Sequence, residues 1–339
     1  MKPKISIVTP LFNRSDMIAD TINSVLQQSC PDWELLIVDD HSTDNGLEIA
    51  SHFSDSENRI QCWSRRSTVK GAPACRNEGA KAAKGEFLVF LDSDDLLAST
   101  CVEQRLHSLS QVSDNELIAS PGEKFDFQPG DLDQRWFSPK AELLTGFLEQ
   151  PLWQTSAVTW RKKIFDHTSG FREDLLSWQD WELHIRALAN GHTIIATMGP
   201  SDHFIRRGHE TRISQNSEIK EDYLLQRQSL FLDVISILKS TDNWTRINES
   251  IMIRKFIVLA LQMKRANLHE YASNLIKSLK EVFLLDSDRY TRVFSYYNFE
   301  NSSSSLQPTI VRKLVRLVGK QYHRLQIGPV VIPRVKKQR

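Results

Sequence analysis

Several features that would place this chain outside the ordinary globular class are missing. No apolar run in its 339 residues approaches the ~18–20 that a membrane-spanning helix requires, so the expectation is a soluble or at most peripheral protein. There are four cysteines, Cys30, Cys62, Cys75 and Cys101, with no Cys-x-x-Cys pair and no tight framework. That pattern reads as reduced thiols in a cytoplasmic protein. In MKPKISIVTP the apolar run stops at Pro10, the mark of a strand rather than a signal peptide. Acidic residues are absent from 308–339, where nine Lys and Arg fall, leaving 34 basic and 42 acidic residues in 1–307, a net charge of −8. A mildly acidic body carrying a basic tail points to a tail with a partner of its own.

The first hundred residues alternate between two periods. Residues 4–8 form a β-branched run, and 15–28 place Met17, Ile18, Ile22, Val25 and Leu26 at helical spacing. Strands follow at 34–38, 59–63 and 87–91, with helices at 43–53 and 74–84. Strand and helix alternating at this pitch predict βαβ units and a parallel sheet covered on both faces. Beyond 99 the pattern is mixed: a helix near 100–109, extended pieces near 116–127, a further segment at 155–160, a helix at 177–190 and a strand at 193–198. From 218 to 299 the periodicity is helical, and 301–305 is a Ser-rich linker.

Polar clusters fall at three predicted strand ends: Thr9 to Arg14, Asp39 to Asp44, and Asp92-Ser93-Asp94-Asp95. In a parallel sheet these share the edge where ligands bind. Each cluster alone is equally a cap and a turn; their coincidence is harder to dismiss. Asp92 and Asp94 are two apart, so on an extended segment their carboxylates project to one side. Hard oxygen ligands suit Mg²⁺ or Mn²⁺. A phosphate beside bare carboxylates costs about 4 kcal/mol per charge pair at ~4 Å and an effective dielectric near ~20, so a phosphate ligand here demands a bridging cation.

As an ordered set, the residues Thr9-Pro10-x-Phe12-Asn13, Val38-Asp39-Asp40-x-Ser42-x-Asp44, Ala74-x-Arg76-Asn77-x-Gly79 and Gly85-Glu86-Phe87 before Asp92-x-Asp94-Asp95 resemble family 2 glycosyltransferases. The resemblance implies an α/β GT-A fold, a Rossmann-like sheet that binds nucleotide-diphosphate sugars. It implies that Thr9, Pro10, Asn13, Asp39 and Asp40 hold the nucleoside, with uridine expected. Asp92 and Ser93 would lie near the ribose, and Asp94 and Asp95 would hold Mn²⁺ or Mg²⁺ on the diphosphate. Arg76 and Asn77 would lie beside the nucleotide or serve helix packing. His41 stands where the family commonly has Gly.

Further on, Gly170-Phe171 and Trp178-Gln179-Asp180-Trp181-Glu182 resemble the family's acceptor segment, which makes Asp180 the expected catalytic base. The chemistry agrees: an attacking hydroxyl needs a carboxylate within hydrogen-bond reach, and Trp178 and Trp181 offer flat faces for a sugar acceptor. The bland alternative is a helix cap with two core tryptophans. Arg207 and His209 resemble the loop over the donor, with His209 completing the metal shell; an exposed basic loop is the rival reading.

The expected organisation is a GT-A domain at 1–215, with a nucleotide-sugar half at 1–110 and an acceptor half at 111–215, then a helical extension at 216–300 and a tail at 301–339. The expected reaction is inverting transfer of a sugar to a hydroxyl on a glycan or lipid-linked acceptor, in surface-polysaccharide or glycolipid synthesis. Two rivals are a sugar nucleotidyltransferase, disfavoured because Thr9 to Arg14 has no glycine, and a non-catalytic nucleotide- or glycan-binding protein. In the tail, Val311, Leu314, Val315, Val318, Tyr322 and Leu325 share one helical face and basic residues fill the rest. Such a helix suits an anionic membrane surface, or else packs on the acidic extension. Nucleic acid is not expected as a partner.

Overall fold

A computed structural model describes residues 2–132, 134–136, 143–207, 220–291 and 293. The described residues fall into two compact units, one within 1–210 and one within 211–328.

In the first unit, strands β1 (Ile5–Leu11), β2 (Trp33–Asp39), β3 (Ile60–Ser64) and β4 (Phe87–Phe90) pair in parallel, in the order β4-β1-β2-β3. Between them run helices α1 (Ile18–Leu26), α2 (Gly46–Ser56) and α3 (Ala72–Ala82). Every residue of β1 and β2 is buried, so alternation is lost and the strands read as continuous apolar runs, as a doubly covered sheet requires. The odd positions Ile5, Ile7 and Leu11 pack with Ile18, Ile22 and Val25 of α1. Each such side chain contributes about 1.5–3 kcal/mol on burial. On the other face α3 lies against β1, and Gly79 is what permits it, since a Cβ there would sit 2.3 Å from Val8 Cγ1.

The sheet continues past β4 through β6 (Glu116–Ala119), β9 (Val158–Arg161) and β10 (Thr193–Ala196), giving seven strands in the order β10-β6-β9-β4-β1-β2-β3. Two features depart from the all-parallel expectation. β9 runs antiparallel to both β4 and β6, and a second sheet of short strands forms in the order β5-β11-β7-β8, from β5 (Leu96–Leu97), β7 (Gly122–Phe125), β8 (Arg135–Trp136) and β11 (His203–Arg206). The 1–110 and 111–215 halves therefore share one sheet across β4–β9 and are not separate lobes. A buried ion pair joins the two sheets: Arg105, on helix α4 (Cys101–Leu109), donates through Nε and Nη2 to Asp202 at 2.8 and 2.9 Å. Helices α5 (Leu143–Glu149), α6 (Lys162–His167) and α7 (Gln179–Ala189) complete the unit.

The second unit consists of α8 (Glu221–Ser240), α9 (Arg246–Arg265) and α10 (His269–Val282). Thr245 caps α9 by accepting the Asn248 N–H at 3.2 Å, and Phe231 meets Phe256 edge-on at 5.5 Å. Among the described residues no helix is long and apolar enough to cross a membrane. The Ser-rich linker and basic tail, 301–339, lie outside the described residues.

Candidate active site

The C-terminal ends of β1, β2 and β4 do come together. Thr9, at the end of β1, is fully buried, and its hydroxyl has no hydrogen-bond partner among the described residues. Buried hydroxyls are normally satisfied, so the Thr9 hydroxyl is an exception at this strand end. Pro10 is also buried in β1. Beyond it the chain turns sharply: Asn13 has φ 49°, its N–H donates to Ser42 Oγ at 3.0 Å, and its Oδ1 accepts the Thr43 N–H at 2.8 Å. The neighbouring Ser15 N–H donates to Asp44 Oδ2 at 2.8 Å. The loops after β1 and β2 thus hold each other. His41, at the position where glycine is common, does adopt the left-handed region with φ 61°.

The two aspartates at the end of β2 do different things. Asp39 is 1% exposed and accepts the Ser42 N–H at 3.1 Å together with the Ser42 hydroxyl. Asp40 takes Arg65 Nε at 2.6 Å on one oxygen and the Gly71 N–H at 2.8 Å on the other. Both Asp40 oxygens are thereby engaged in binding the 65–71 loop to β2. Arg65 was not singled out in the sequence; a basic residue next to the end of β3, opposite an acidic loop, is the signal that marks it.

Asp92 to Asp95 do not form the extended segment expected. The Asp95 N–H donates to Asp92 O at 3.1 Å and closes a turn, so the carboxylates separate. Asp92 accepts Arg76 Nη2 at 2.6 Å. Asp94 lies with Oδ2 3.8 Å from Arg14 Nε. Asp95, 4% exposed, accepts the Arg206 N–H of β11 at 3.0 Å. Thr21 on α1 donates to the carbonyls of Ser93 and Asp95 at 3.1 and 2.9 Å. Asp95 thus ties the small sheet to the strand end. Among the described residues no cluster of three or more His, Cys, Asp or Glu could hold a metal by itself. A hard divalent ion normally takes one or two carboxylates and completes its shell with substrate phosphates; a single carboxylate such as Asp94 fits that donor set.

Asn77 and Arg76 join the two halves of the unit. Asn77 donates to Phe171 O at 2.8 Å and to Glu173 Oε1 at 2.9 Å, and accepts the Phe171 N–H at 2.9 Å. These bonds match the helix-packing alternative. Phe171 meets Phe90 of β4 edge-on at 4.9 Å, and the Arg76 guanidinium lies 5.3 Å from the Phe171 ring centre. Glu182, 1% exposed, accepts Arg186 Nε at 2.8 Å, and Arg186 in turn donates to the carbonyls of Thr168 and Gly170, which fixes the same turn.

That docking delivers Asp180 to the strand end. Asp180 sits in the first turn of α7, and its Oδ1 accepts the Trp181 N–H at 2.8 Å. The side chain is partly accessible yet closely surrounded by protein. Burial raises its carboxyl above the ordinary aspartate value; the Trp181 N–H and Arg76 pull it down and the Asp92 charge pushes it up. Residues 76, 92 and 180, far apart in sequence, are therefore electrostatic neighbours. The tryptophans separate: Trp181 is fully buried with its indole N–H on Phe147 O, so it belongs to the core and not to an acceptor surface, while Trp178 is partly exposed at φ 63° with its ring 5.0 Å from that of Trp181. Phe12, 51% exposed at the end of β1, is a second flat face at the site. Arg207 pairs with Asp126 at 3.6 Å and Gln134 at 3.1 Å; His209 lies outside the described residues.

Relatives share this part of the chain. The putative teichuronic acid biosynthesis glycosyltransferase TuaG of Bacillus subtilis is 38% identical over 112 residues, 33% of this chain and 44% of the relative. The UDP-Glc:alpha-D-GlcNAc-diphosphoundecaprenol beta-1,3-glucosyltransferase WfgD of Escherichia coli is 40% identical over 102 residues, 30% of this chain and 39% of that one. The chain spans under half the length of the curated relatives it matches. In fold it is similar to Staphylococcus aureus TarS residues 1–349 crystallised with UDP-GlcNAc, at 17% identity and TM-score 0.56, over 88% of this chain and 92% of that chain. This likeness establishes a GT-A architecture. Residues 6–164, which contain the three strand ends and their loops, match the model of glycosyl transferase family 2, so this part of the chain carries that family's sequence pattern.

Proposed function

We propose that this protein is an inverting glycosyltransferase that moves a sugar from a nucleoside-diphosphate donor, a UDP-sugar, onto a hydroxyl of a glycan or lipid-linked acceptor in surface-polysaccharide or glycolipid synthesis. The observation that carries this reading is the Arg76–Asp92 pair at 2.6 Å by the end of β4, with Asp180 close enough for both charges to act on its carboxyl. The pairing of a donor-side acidic turn with an acceptor-side carboxylate is what one-step displacement at a sugar carbon requires. The curated relatives named for surface-glycan transfer support the substrate class, and the TarS complex with UDP-GlcNAc supports a uridine nucleotide.

In this reading Thr9, Asp39 and the exposed Phe12 ring receive the nucleoside. Asp92, fixed by Arg76, and Ser93 line the ribose side, and Asp94 faces the diphosphate. A bound Mn²⁺ or Mg²⁺ supplies charge neutralisation for the leaving diphosphate. Asp180 takes the proton from the acceptor hydroxyl as it attacks, and the raised pKa that burial imposes makes it a better proton acceptor. Trp178 stands beside it as an apolar face for the acceptor ring. The basic tail would hold the enzyme on the cytoplasmic face of an anionic membrane, where a lipid-linked acceptor resides; each basic residue near such a surface contributes about 1 kcal/mol.

Donor hydrolysis tests the reading. Incubated with a panel of UDP-, GDP-, CDP- and dTDP-sugars, the protein should release nucleoside diphosphate from a UDP-sugar with Mn²⁺ or Mg²⁺ present and lose this activity in EDTA. Release from none of them, together with no binding of UDP, would overturn it.

A further inference from the structure

Arg14 has no assigned work, and its position is unusual. Its backbone is clamped on both sides, by the Asn13 bonds to Ser42 and Thr43 and by the Ser15 bond to Asp44. Only its side chain has freedom to move. That side chain is 19% exposed, and of its five donors Nη1 bonds the Asn13 carbonyl at 3.0 Å. Among the described residues no hydrogen bond engages Nε or Nη2. Nε stands 3.8 Å from Asp94 Oδ2, an ion-pair distance that is too long for a hydrogen bond. Arg206, the other guanidinium at this turn, is committed: it holds the Asp94 carbonyl at 3.0 Å and Asp20 at 3.2 Å. Among the described residues, Arg206 is thus fixed in the scaffold at the acidic turn, and Arg14 is loosely paired with unused donors.

We propose that Arg14 is an exchangeable counter-ion of the donor site: with no donor bound it neutralises Asp94, and when donor and divalent ion arrive it gives up Asp94 and binds the donor's diphosphate. The physical reason is charge balance. Asp94 in a partly buried turn needs a cation at all times, and a guanidinium fork matches phosphate oxygens better than it matches one carboxylate oxygen at 3.8 Å. Arg14 would thereby lower the affinity of the bare protein for metal and raise its affinity for diphosphate. This rests on the nucleotide-sugar reading above.

Calorimetry on the full-length protein separates the two effects, using Mn²⁺ alone, then UDP and UMP in Mn²⁺. Arg14→Gln should bind Mn²⁺ alone several-fold more tightly than wild type. The same variant should bind UDP about 10–100-fold more weakly, the loss of one charge-assisted hydrogen bond, and UMP with a smaller loss. Arg14→Lys, which keeps the charge without the fork, should bind Mn²⁺ like wild type and UDP with intermediate affinity, so it carries the test if the Gln variant does not fold. Unchanged Mn²⁺ affinity in Arg14→Gln, or equal losses for UDP and UMP, would overturn the proposal. Failure of the wild type itself to bind UDP in Mn²⁺ would instead remove the nucleotide-sugar reading, and this proposal with it.

Discussion

Replacing Asp180 by Asn is the most informative perturbation. The change keeps the shape of the side chain, and an amide oxygen still accepts the Trp181 N–H that Oδ1 accepts at 2.8 Å. What it removes is the proton acceptor. Turnover should fall by roughly 10²–10⁴, which corresponds to about 2.7–5.4 kcal/mol of lost transition-state stabilisation. Two further readouts follow from the burial that raises the Asp180 pKa. In the wild type, transfer should increase with pH as Asp180 ionises, with its midpoint above the ordinary aspartate value; this acidic limb should be absent from the residual activity of the Asn variant. A carboxyl whose folded-state pKa is raised favours folding at pH below its unfolded pKa, and this contribution is lost as pH rises through the folded value. At neutral pH the wild type therefore carries the cost of a confined charge, and the Asn variant should unfold at a temperature no lower than wild type. Chromatographic detection of released UDP, UDP binding by calorimetry and a thermal melt give all three quantities. Near-normal transfer by the variant would remove Asp180 from the mechanism, and a collapsed melting temperature would show that its role is structural.

Gly170→Ala should destabilise the first unit without touching the chemistry directly: φ is +65°, and the new Cβ would lie 2.6 Å from Asn77 Oδ1 and 3.2 Å from the Phe165 ring. The left-handed backbone alone costs about 1–2 kcal/mol, so thermal unfolding should shift down by several degrees; a shift under about 1 °C would refute the close-packing argument. The intact protein should sediment with anionic vesicles at low salt and a chain ending at Ser305 should remain in the supernatant; equal behaviour would mean that the tail does not act at a membrane.

Much of the first hundred residues was legible in the sequence because it is governed by local rules. Buried parallel strands are short apolar runs, and the helices between them repeat at 3.6 residues, so β1 to β4 and α1 to α3 all lie close to their expected positions. The placing of polar clusters at strand ends follows from the same rules, since parallel strands put every such loop at one edge. The direction of β9 was not visible, because nothing local distinguishes a parallel partner from an antiparallel one.

Which polar residues remain available to a ligand was decided by tertiary structure alone. Asp94 and Asp95 are chemically identical and adjacent, yet Asp95 is engaged by the Arg206 backbone 111 positions away. Asp40 is engaged by Arg65 and Gly71, and Asn77 by Phe171, 94 positions on. Trp178 and Trp181 differ by one helical turn, and only packing against Phe147 puts the second into the core. Sequence periodicity reports whether a position is buried. Whether a buried or half-buried polar group is already satisfied depends on a partner supplied from elsewhere in the chain, and a hydrogen bond or ion pair of 2.6–3.8 Å exists only once the fold has brought that partner within reach.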